Sequence, residues 1–343
     1  MKRVLLYISL AVCLAACGPG GNRQTRSDSG KEEAAAETAV SEAPAVRSFP
    51  TVTVPSVYDN NSPEAQDYVL NNYWNAFMGS DGVTDAGHIL GVADGDVEQA
   101  MANYVEILSM VKQQASPDNL SPLKKAQASI SRFFSQIERK QLADTTSLVY
   151  IKLTEMVSHY LYDPISPARD EDLYLPFVKA MAESPCTADN MRTACRHEAR
   201  MCATNPFGSK VPDFRFSDIK GRKSSLYAVN ADYIMLFFSN PGCESCKAII
   251  QEVRSRNYID SYISGGKLAI VNIYIDEEVQ KWREYSPNYP SNWINGYDYT
   301  FSLRDSGSYD IRAIPSLYLL DSQKRVLMKD AVTEKVLSFL DTI

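Results

Sequence analysis

Histidine is almost absent from these 343 residues. The three copies, His88, His159 and His197, fall on separate predicted elements with no ligand spacing among them. A histidine-built metal centre is disfavoured, because such sites need several ligands converging at set spacings. No Lys/Arg cluster occurs and the formal net charge is −7, so the electrostatic footprint of nucleic-acid binding is missing. Long apolar runs are missing too. The most apolar stretch near the start, Val4–Leu14, is too short to span a bilayer as a mature helix. No period of a helical repeat array stands out. What remains is an ordinary apolar content of 45%, against extensive disorder, and enough chain for about two domains.

The first residues read as an address. Lys2 and Arg3 form a basic n-region ahead of Val4–Leu14, and Leu14-Ala15-Ala16-Cys17 resembles the lipobox of a bacterial lipoprotein. The resemblance implies cleavage before Cys17 and lipid attachment there; an ordinary secretory signal cut near Ala16 is the plainer alternative. Gly18 rather than Asp follows the cysteine, so inner-membrane retention is not signalled. The expected site is the bacterial cell envelope, anchored in the outer membrane and facing the periplasm, with surface exposure as the other option. Cys13 would leave with the signal and Cys17 would carry lipid. That leaves Cys186, Cys195, Cys202, Cys243 and Cys246, an odd set in an oxidising compartment, so at least one thiol lies outside internal pairs. Residues 18–58, rich in Gly, Ser, Ala, Glu and Pro, read as a disordered tether.

Residues 59–205 carry helical periodicity. Ser62-Pro63 reads as an N-cap followed by proline at the first helical position, and Ser121-Pro122 reads the same way. Apolar stripes such as Val97, Met101, Tyr104, Leu108 and Val111 recur at helical spacing. Six helices are expected: from Ser62, 94–115, from Ser121, 145–161, 171–182 and 188–203. No chemistry concentrates in this region. The corner running from Tyr160 through Pro164 to Tyr174 reads as a helix-loop-helix turn or a binding surface. Cys195 and Cys202, seven apart, lie about 10 Å from each other along one helix face, too far to bridge. Buried free thiols are the default reading, and the alternative is that Cys186 folds back onto Cys195 in a structural bridge.

The stretch that concentrates chemistry is Phe237-Phe238-Ser239-Asn240-Pro241-Gly242-Cys243-Glu244-Ser245-Cys246. An apolar run over 233–238 ends in a Pro-Gly turn, two cysteines follow, and residues 247–262 show helical spacing. Cys243 is therefore predicted at a helix N-terminus, where free N–H groups and the helix dipole favour a thiolate. Cys246, one turn inward, is placed to resolve a mixed disulfide on Cys243.

From Val211 onward the pattern is α/β. A hairpin is expected about the Asp218–Gly221 turn, then a strand over 233–239, the Cys-x-x-Cys helix, and a buried parallel strand over 268–275 reached by a right-handed crossover. A hairpin over 317–329 and a helix over 332–343 close the chain. This segment resembles the thioredoxin-like fold, in its TlpA/ResA-like branch of envelope thiol-disulfide oxidoreductases. The resemblance rests on Pro212-Asp213-Phe214 with Gly221 beyond, on Cys243-Glu244-Ser245-Cys246, and on Ile314-Pro315 before an apolar strand. With Ser166-Pro167-Ala168-Arg169, and Asn205-Pro206-Phe207-Gly208 before the Pro-Asp-Phe, the helical region resembles an uncharacterised domain of anaerobe lipoproteins that precedes such modules. The expected fold class is thus α+β with two domains: an all-α N-terminal domain (59–205), then a thioredoxin-like α/β domain with a central mixed sheet (206–343).

By this resemblance Cys243 is the attacking cysteine and Cys246 the resolving one. Pro315 matches the family's cis-proline, and Ile314 the neighbour whose backbone meets the substrate. Glu244, inside the motif, should raise the thiol pKa values and favour a reducing poise. Three positions depart from the family pattern: Gly242 in place of Trp, Phe237 in place of a buried acid, and Ser245 in place of Pro. Asp276, Glu277 and Glu278 could aid proton transfer or form a solvated loop. The aromatic residues between Trp282 and Phe301 suggest either a self-packed loop or a recognition surface.

The expected function is a lipid-anchored oxidoreductase that reduces or exchanges disulfides of envelope proteins and is recharged by an upstream electron donor. No cofactor, metal or nucleic acid is expected. The rivals are a binding lipoprotein whose Cys243–Cys246 bridge is structural, and a peroxiredoxin, which the missing Thr three residues before Cys243 disfavours.

Overall fold

The computed structural model describes residues 47–59 and 62–343. The expected signal sequence and the expected lipidation site Cys17 lie outside them. The end of the expected tether is docked rather than loose. Arg47 donates to the Leu90 carbonyl and pairs beside Val92, and Phe49 packs against Tyr73, Trp74 and Phe77. A buried aromatic contact of this size outweighs the local composition that suggests disorder.

In chain order the helical region contains α1 (Pro63–Asn72), α2 (Asn75–Met78), a two-residue hairpin of β1 (His88–Ile89) and β2 (Val92–Ala93), α3 (Asp94–Lys112), α4 (Ser121–Ala143), α5 (Val149–Leu161), α6 (Glu171–Glu183) and α7 (Asp189–Ala203). The Ser62 hydroxyl caps α1 by accepting from Ala65 N–H, as its position predicts. Ser121 does not cap α4. It is the first helical residue, and Leu120 holds the cap position with no side-chain bond. The predicted start at Thr145 moves to Val149, because Asp144 takes the Thr146 N–H and hydroxyl and holds that stretch in a turn. Pro176 sits inside α6, where it cannot bond the Asp172 carbonyl one turn back. Gln127 of α4 donates to that carbonyl at 2.8 Å and fills the vacancy. One continuous core, with Trp74 stacked on Phe133 at 4.2 Å, joins these helices.

The α/β region follows: β3 (Arg215–Ser217), β4 (Lys223–Ser225), β5 (Tyr233–Phe238), α8 (Glu244–Ser255), α9 (Ile259–Ser264), β6 (Leu268–Tyr274), α10 (Val279–Tyr285), β7 (Ile294–Tyr297), α11 (Ser302–Asp305), β8 (Ser316–Asp321), β9 (Val326–Met328) and α12 (Thr333–Leu340). Its seven strands form one mixed sheet in the order β4-β3-β7-β6-β5-β8-β9, with β6 parallel to both β5 and β7. Alternation along β5 divides its core. Ile234, Leu236 and Phe238 face one apolar cluster; Met235 and Phe237 face the other, which also holds Cys246 and α12. All seven residues of β6 are buried, as a strand covered on both faces requires.

Two features differ from the sequence reading. The helix after the cysteines stops at Ser255, Arg256 is extended, and α9 restarts at Ile259. Residues six apart on one helix differ by about 240° in direction, so an unbroken helix could not turn both Val253 and Ile259 into the core that buries them. The aromatic insertion, in turn, supplies a strand, β7. Gly296 is required there, since a Cβ would meet the Phe216 ring at 2.7 Å. Trp282, Tyr289 and Trp293 are buried, so the insertion is largely packing.

Residues 205–211 are fastened on both sides. Gly208 and Val211 donate to the Val326 and Lys324 carbonyls beside β9, while Phe207 N–H donates to Asp172 of α6. Among the described residues, no helix is long and apolar enough to cross a membrane.

Candidate redox site

Cys243 and Cys246 form a disulfide at the head of α8, with Cα atoms 5.2 Å apart. Cys243 is the N-cap residue, and its Sγ accepts the Cys246 N–H at 3.1 Å. That bond and the free N–H groups of the first turn are what would hold a thiolate at Cys243. Access is unequal: Cys243 is half-buried and Cys246 is 1% exposed. Gly242 has φ +74° with open space around it, so a residue other than glycine would be strained at this turn. Its place in the motif therefore has a backbone reason. The Asn240 carbonyl accepts the Cys243 N–H, and the Asn240 side chain donates to Asp276 at 2.8 Å, which ties the turn to the end of β6.

Phe237 lies in the core cluster that buries Cys246 and makes an edge contact with Trp293. The strand beneath the buried sulfur therefore offers no acid. Glu244 is 83% exposed and pairs with Lys247 at 2.6 Å. The neighbouring ammonium and water offset its field at the sulfurs. Glu277 and Glu278 pair with Arg304 and Lys281, and Asp276 holds Asn240.

The Ile314–Pro315 peptide bond is cis. Ile314 and Cys243 both pack on the apolar cluster that contains Cys246. A cavity of about 320 Å³ adjoins this segment, lined by residues 312–315, by Ile249 of α8, by residues 330–333 and by Pro164 and Arg169 of the helical region.

Sequence reasoning missed the charge cluster behind that cavity. Lys329 pairs with Glu171 of α6 at 2.6 Å, both almost fully buried, and Lys329 also donates to the Met201, Cys202 and Thr204 carbonyls. Arg312 pairs with the same Glu171 and stacks over Tyr162. Asp330 pairs with Arg169 and accepts from the Ser316 hydroxyl. Asp310 is 0% exposed and neither of its carboxylate oxygens has a hydrogen-bond partner. Burial pushes its carboxyl from an ordinary 3.8 up to about 6, against the pull of Lys329. The fold thus holds a proton that the unfolded chain releases between those values. Asp310 contributes stability below about pH 4 and loses it as pH rises through about 6, on the order of 2–3 kcal/mol in all. Asp310→Asn is expected to flatten the pH dependence of unfolding free energy between pH 4 and 7. An unchanged slope in denaturant titrations would assign that dependence elsewhere.

Cys186, Cys195 and Cys202 are free thiols, so no bridge links Cys186 to Cys195. Burial pushes the Cys202 thiol up to about 12, which makes it unreactive. No group of three His, Cys, Asp or Glu side chains among the described residues is placed to hold a metal ion.

Residues 21–205 match a domain of unknown function (DUF5106). No curated protein matches the chain. Among solved structures, a thioredoxin-like protein of Bacteroides caccae is 32% identical, with a TM-score of 0.70 over 87% of this chain and 99% of its own. The C-terminal domain of an uncharacterised Bacteroides fragilis protein is 38% identical over 40% of this chain and 99% of its own, with a TM-score of 0.39. The thioredoxin domain of a Bacteroides vulgatus thiol-disulfide oxidoreductase is 20% identical over 40% of this chain and 96% of its own, with a TM-score of 0.36. With the DUF5106 match over more than half its length and a full-length structural relative, this chain belongs to the thioredoxin-like proteins that carry a helical domain of unknown function before the α/β domain.

Proposed function

We propose that the chain is a lipid-anchored thiol-disulfide oxidoreductase of the bacterial envelope, acting on disulfide-bearing polypeptides through Cys243 and Cys246. The observation that carries the reading is the Cys243–Cys246 bridge at the head of α8, one sulfur accessible and the other buried. In the reduced protein the Cys243 thiolate attacks a substrate sulfur. A mixed disulfide forms and the first substrate thiolate leaves, taking a proton. The Cys246 thiol loses its proton and attacks Cys243 Sγ, which expels the second substrate thiolate and leaves the Cys243–Cys246 disulfide. One substrate disulfide becomes two thiols: the protein dithiol supplies both electrons, Cys246 supplies one proton, and the other comes from water, which took it from Cys243 on ionisation. An upstream dithiol donor returns the bridge to two thiols. Ile314 and Pro315 would dock the extended substrate backbone. Glu244, being exposed and paired, has a small tuning role. The sequence Leu14–Cys17 supports lipid attachment at Cys17, and with it an outer-membrane location facing the periplasm.

A trapping experiment tests this. Cys246→Ser cannot resolve the intermediate, so envelope polypeptides should accumulate on Cys243 as mixed disulfides that dithiothreitol releases. Cys243→Ser/Cys246→Ser should capture nothing. Equal capture by the two variants would leave the bridge a structural one.

A further inference from the structure

The cavity beside the cis-proline segment has walls from two regions of the chain. Pro315, Arg312 and Val332 come from the α/β region, and Ile249 stands three residues after Cys246 on the same face of α8. Pro164 and Arg169 come from the corner between α5 and α6, so the helical region closes one side. That corner is built rather than loose. Asp163 accepts the Ile165 N–H at 3.0 Å, the buried Ser166 hydroxyl donates to the Tyr160 carbonyl at 2.6 Å, and the Leu161 carbonyl accepts the Asp170 N–H at 3.0 Å. Its junction with the α/β region is fixed by Arg169 on Asp330 and by Lys335, which donates to the Arg169 carbonyl at 2.9 Å. At the tip Ile165 is 84% exposed, the most exposed large apolar residue described.

The charges in the wall are already paired. Arg169 is held by Asp330, and Arg312 by Glu171 and Asp330. A charged ligand group would find no free partner and would lose its water. Apart from the Thr333 hydroxyl, the remaining side-chain lining is carbon: proline, isoleucine, leucine, alanine and valine. We propose that this cavity is a specificity pocket, completed by the helical region, which takes an apolar side chain next to the reacting half-cystine of a polypeptide substrate. The assignment rests on the oxidoreductase reading, and it gives the helical domain a part in substrate choice. Pro164 forms the wall and Ile165 extends the apolar rim.

Two disulfide-linked peptides that differ only in Phe or Ser beside the half-cystine test the pocket. Wild-type chain should reduce the Phe peptide with a kcat/KM about tenfold higher, the scale on which apolar pockets discriminate. Pro164→Asp/Ile165→Asp changes two exposed positions and should bring the ratio near one, with the rate on bis(2-hydroxyethyl) disulfide, a small disulfide with no apolar group to fill the pocket, unchanged. A ratio that stays at about ten in this variant, or is near one in wild type, overturns the pocket. So does an equal loss on the small disulfide, which reports general damage at the dithiol. Binding of Cys-to-Ser versions of both peptides to Cys243→Ser/Cys246→Ser, read by anisotropy, separates the two claims. Phe preference in binding without any turnover in wild type would keep the pocket and sink the oxidoreductase reading. Turnover without preference in either assay would do the reverse.

Discussion

Cys243→Ser is expected to bring the reduction of insulin disulfides down to the uncatalysed rate, a loss on the order of a thousandfold. The serine hydroxyl stays protonated where a thiol at this N-cap ionises, and it cannot form the mixed disulfide on which both transfer steps depend. Cys246→Ser should behave differently. The accessible nucleophile remains, so the first attack proceeds and the protein stalls as an adduct. Glu244→Gln should change the rate little, since Glu244 is 83% exposed and already offset by Lys247. The order Cys243→Ser, Cys246→Ser, Glu244→Gln thus follows burial and position in the first turn of α8. Insulin turbidity with dithiothreitol as donor measures it. A Cys243→Ser protein that keeps more than a tenth of the wild-type rate would place the reaction at another thiol or show that the bridge is inert.

Lys329→Met should produce the largest loss of stability, about 3–5 kcal/mol. The side chain is 3% exposed, its partner Glu171 is 4% exposed, and its ammonium also closes the C-terminal end of α7 by donating to three carbonyls at 2.7–3.1 Å. Burial lowers the Lys329 pKa, while the charges of Asp172 and Asp310 raise it and keep the ammonium in place. Methionine fills a similar volume, yet it leaves a buried carboxylate with only Arg312 opposite and three carbonyls without a donor. At roughly 2–4 °C per kcal/mol for chains of this scale, the melting temperature should fall by about 10 °C. Glu171→Leu/Lys329→Met removes both charges together and should regain much of the loss, because the cost lies in the stranded partner rather than in the absent pair. If the double variant is as unstable as the single one, the ion pair is not what joins α6 to the end of β9. The same cluster sets Arg169 and the α5–α6 corner beside the cavity, so the pocket proposed above shares its support with the stability of this junction.

The helices of the first region were legible because their cores repeat at 3.6 residues, as in Val97, Met101, Tyr104, Leu108 and Val111. The central strands were legible as apolar runs bounded by turns. Strand β7 was not. Ile294-Asn295-Gly296-Tyr297 is short, polar at one position and glycine at another, and it becomes a strand only because β3 and β6 offer backbone partners on both sides. The break between α8 and α9 was hidden for a related reason. Local spacing suits one helix, but the directions of Val253 and Ile259 toward a common core require two. Cys186, Cys195 and Cys202 are the free thiols of the default reading, and the alternative Cys186–Cys195 bridge could not be dismissed from spacing, which says nothing about which face of α7 turns inward.

Sequence alone determined the dithiol, its place at a helix N-terminus, the proline before the last hairpin, and the division into helical and α/β parts. Each is written in contiguous residues, since caps, turns and periodicities act over a few positions. Tertiary structure decided what surrounds the dithiol. It buried Cys246 over Phe237 and brought Glu171 to Arg312 across 141 positions of chain. It also set Pro164 and Arg169 beside Pro315. Such contacts leave no local signature, because an ion pair or a pocket wall depends on where two distant elements meet, and only the packed core fixes that.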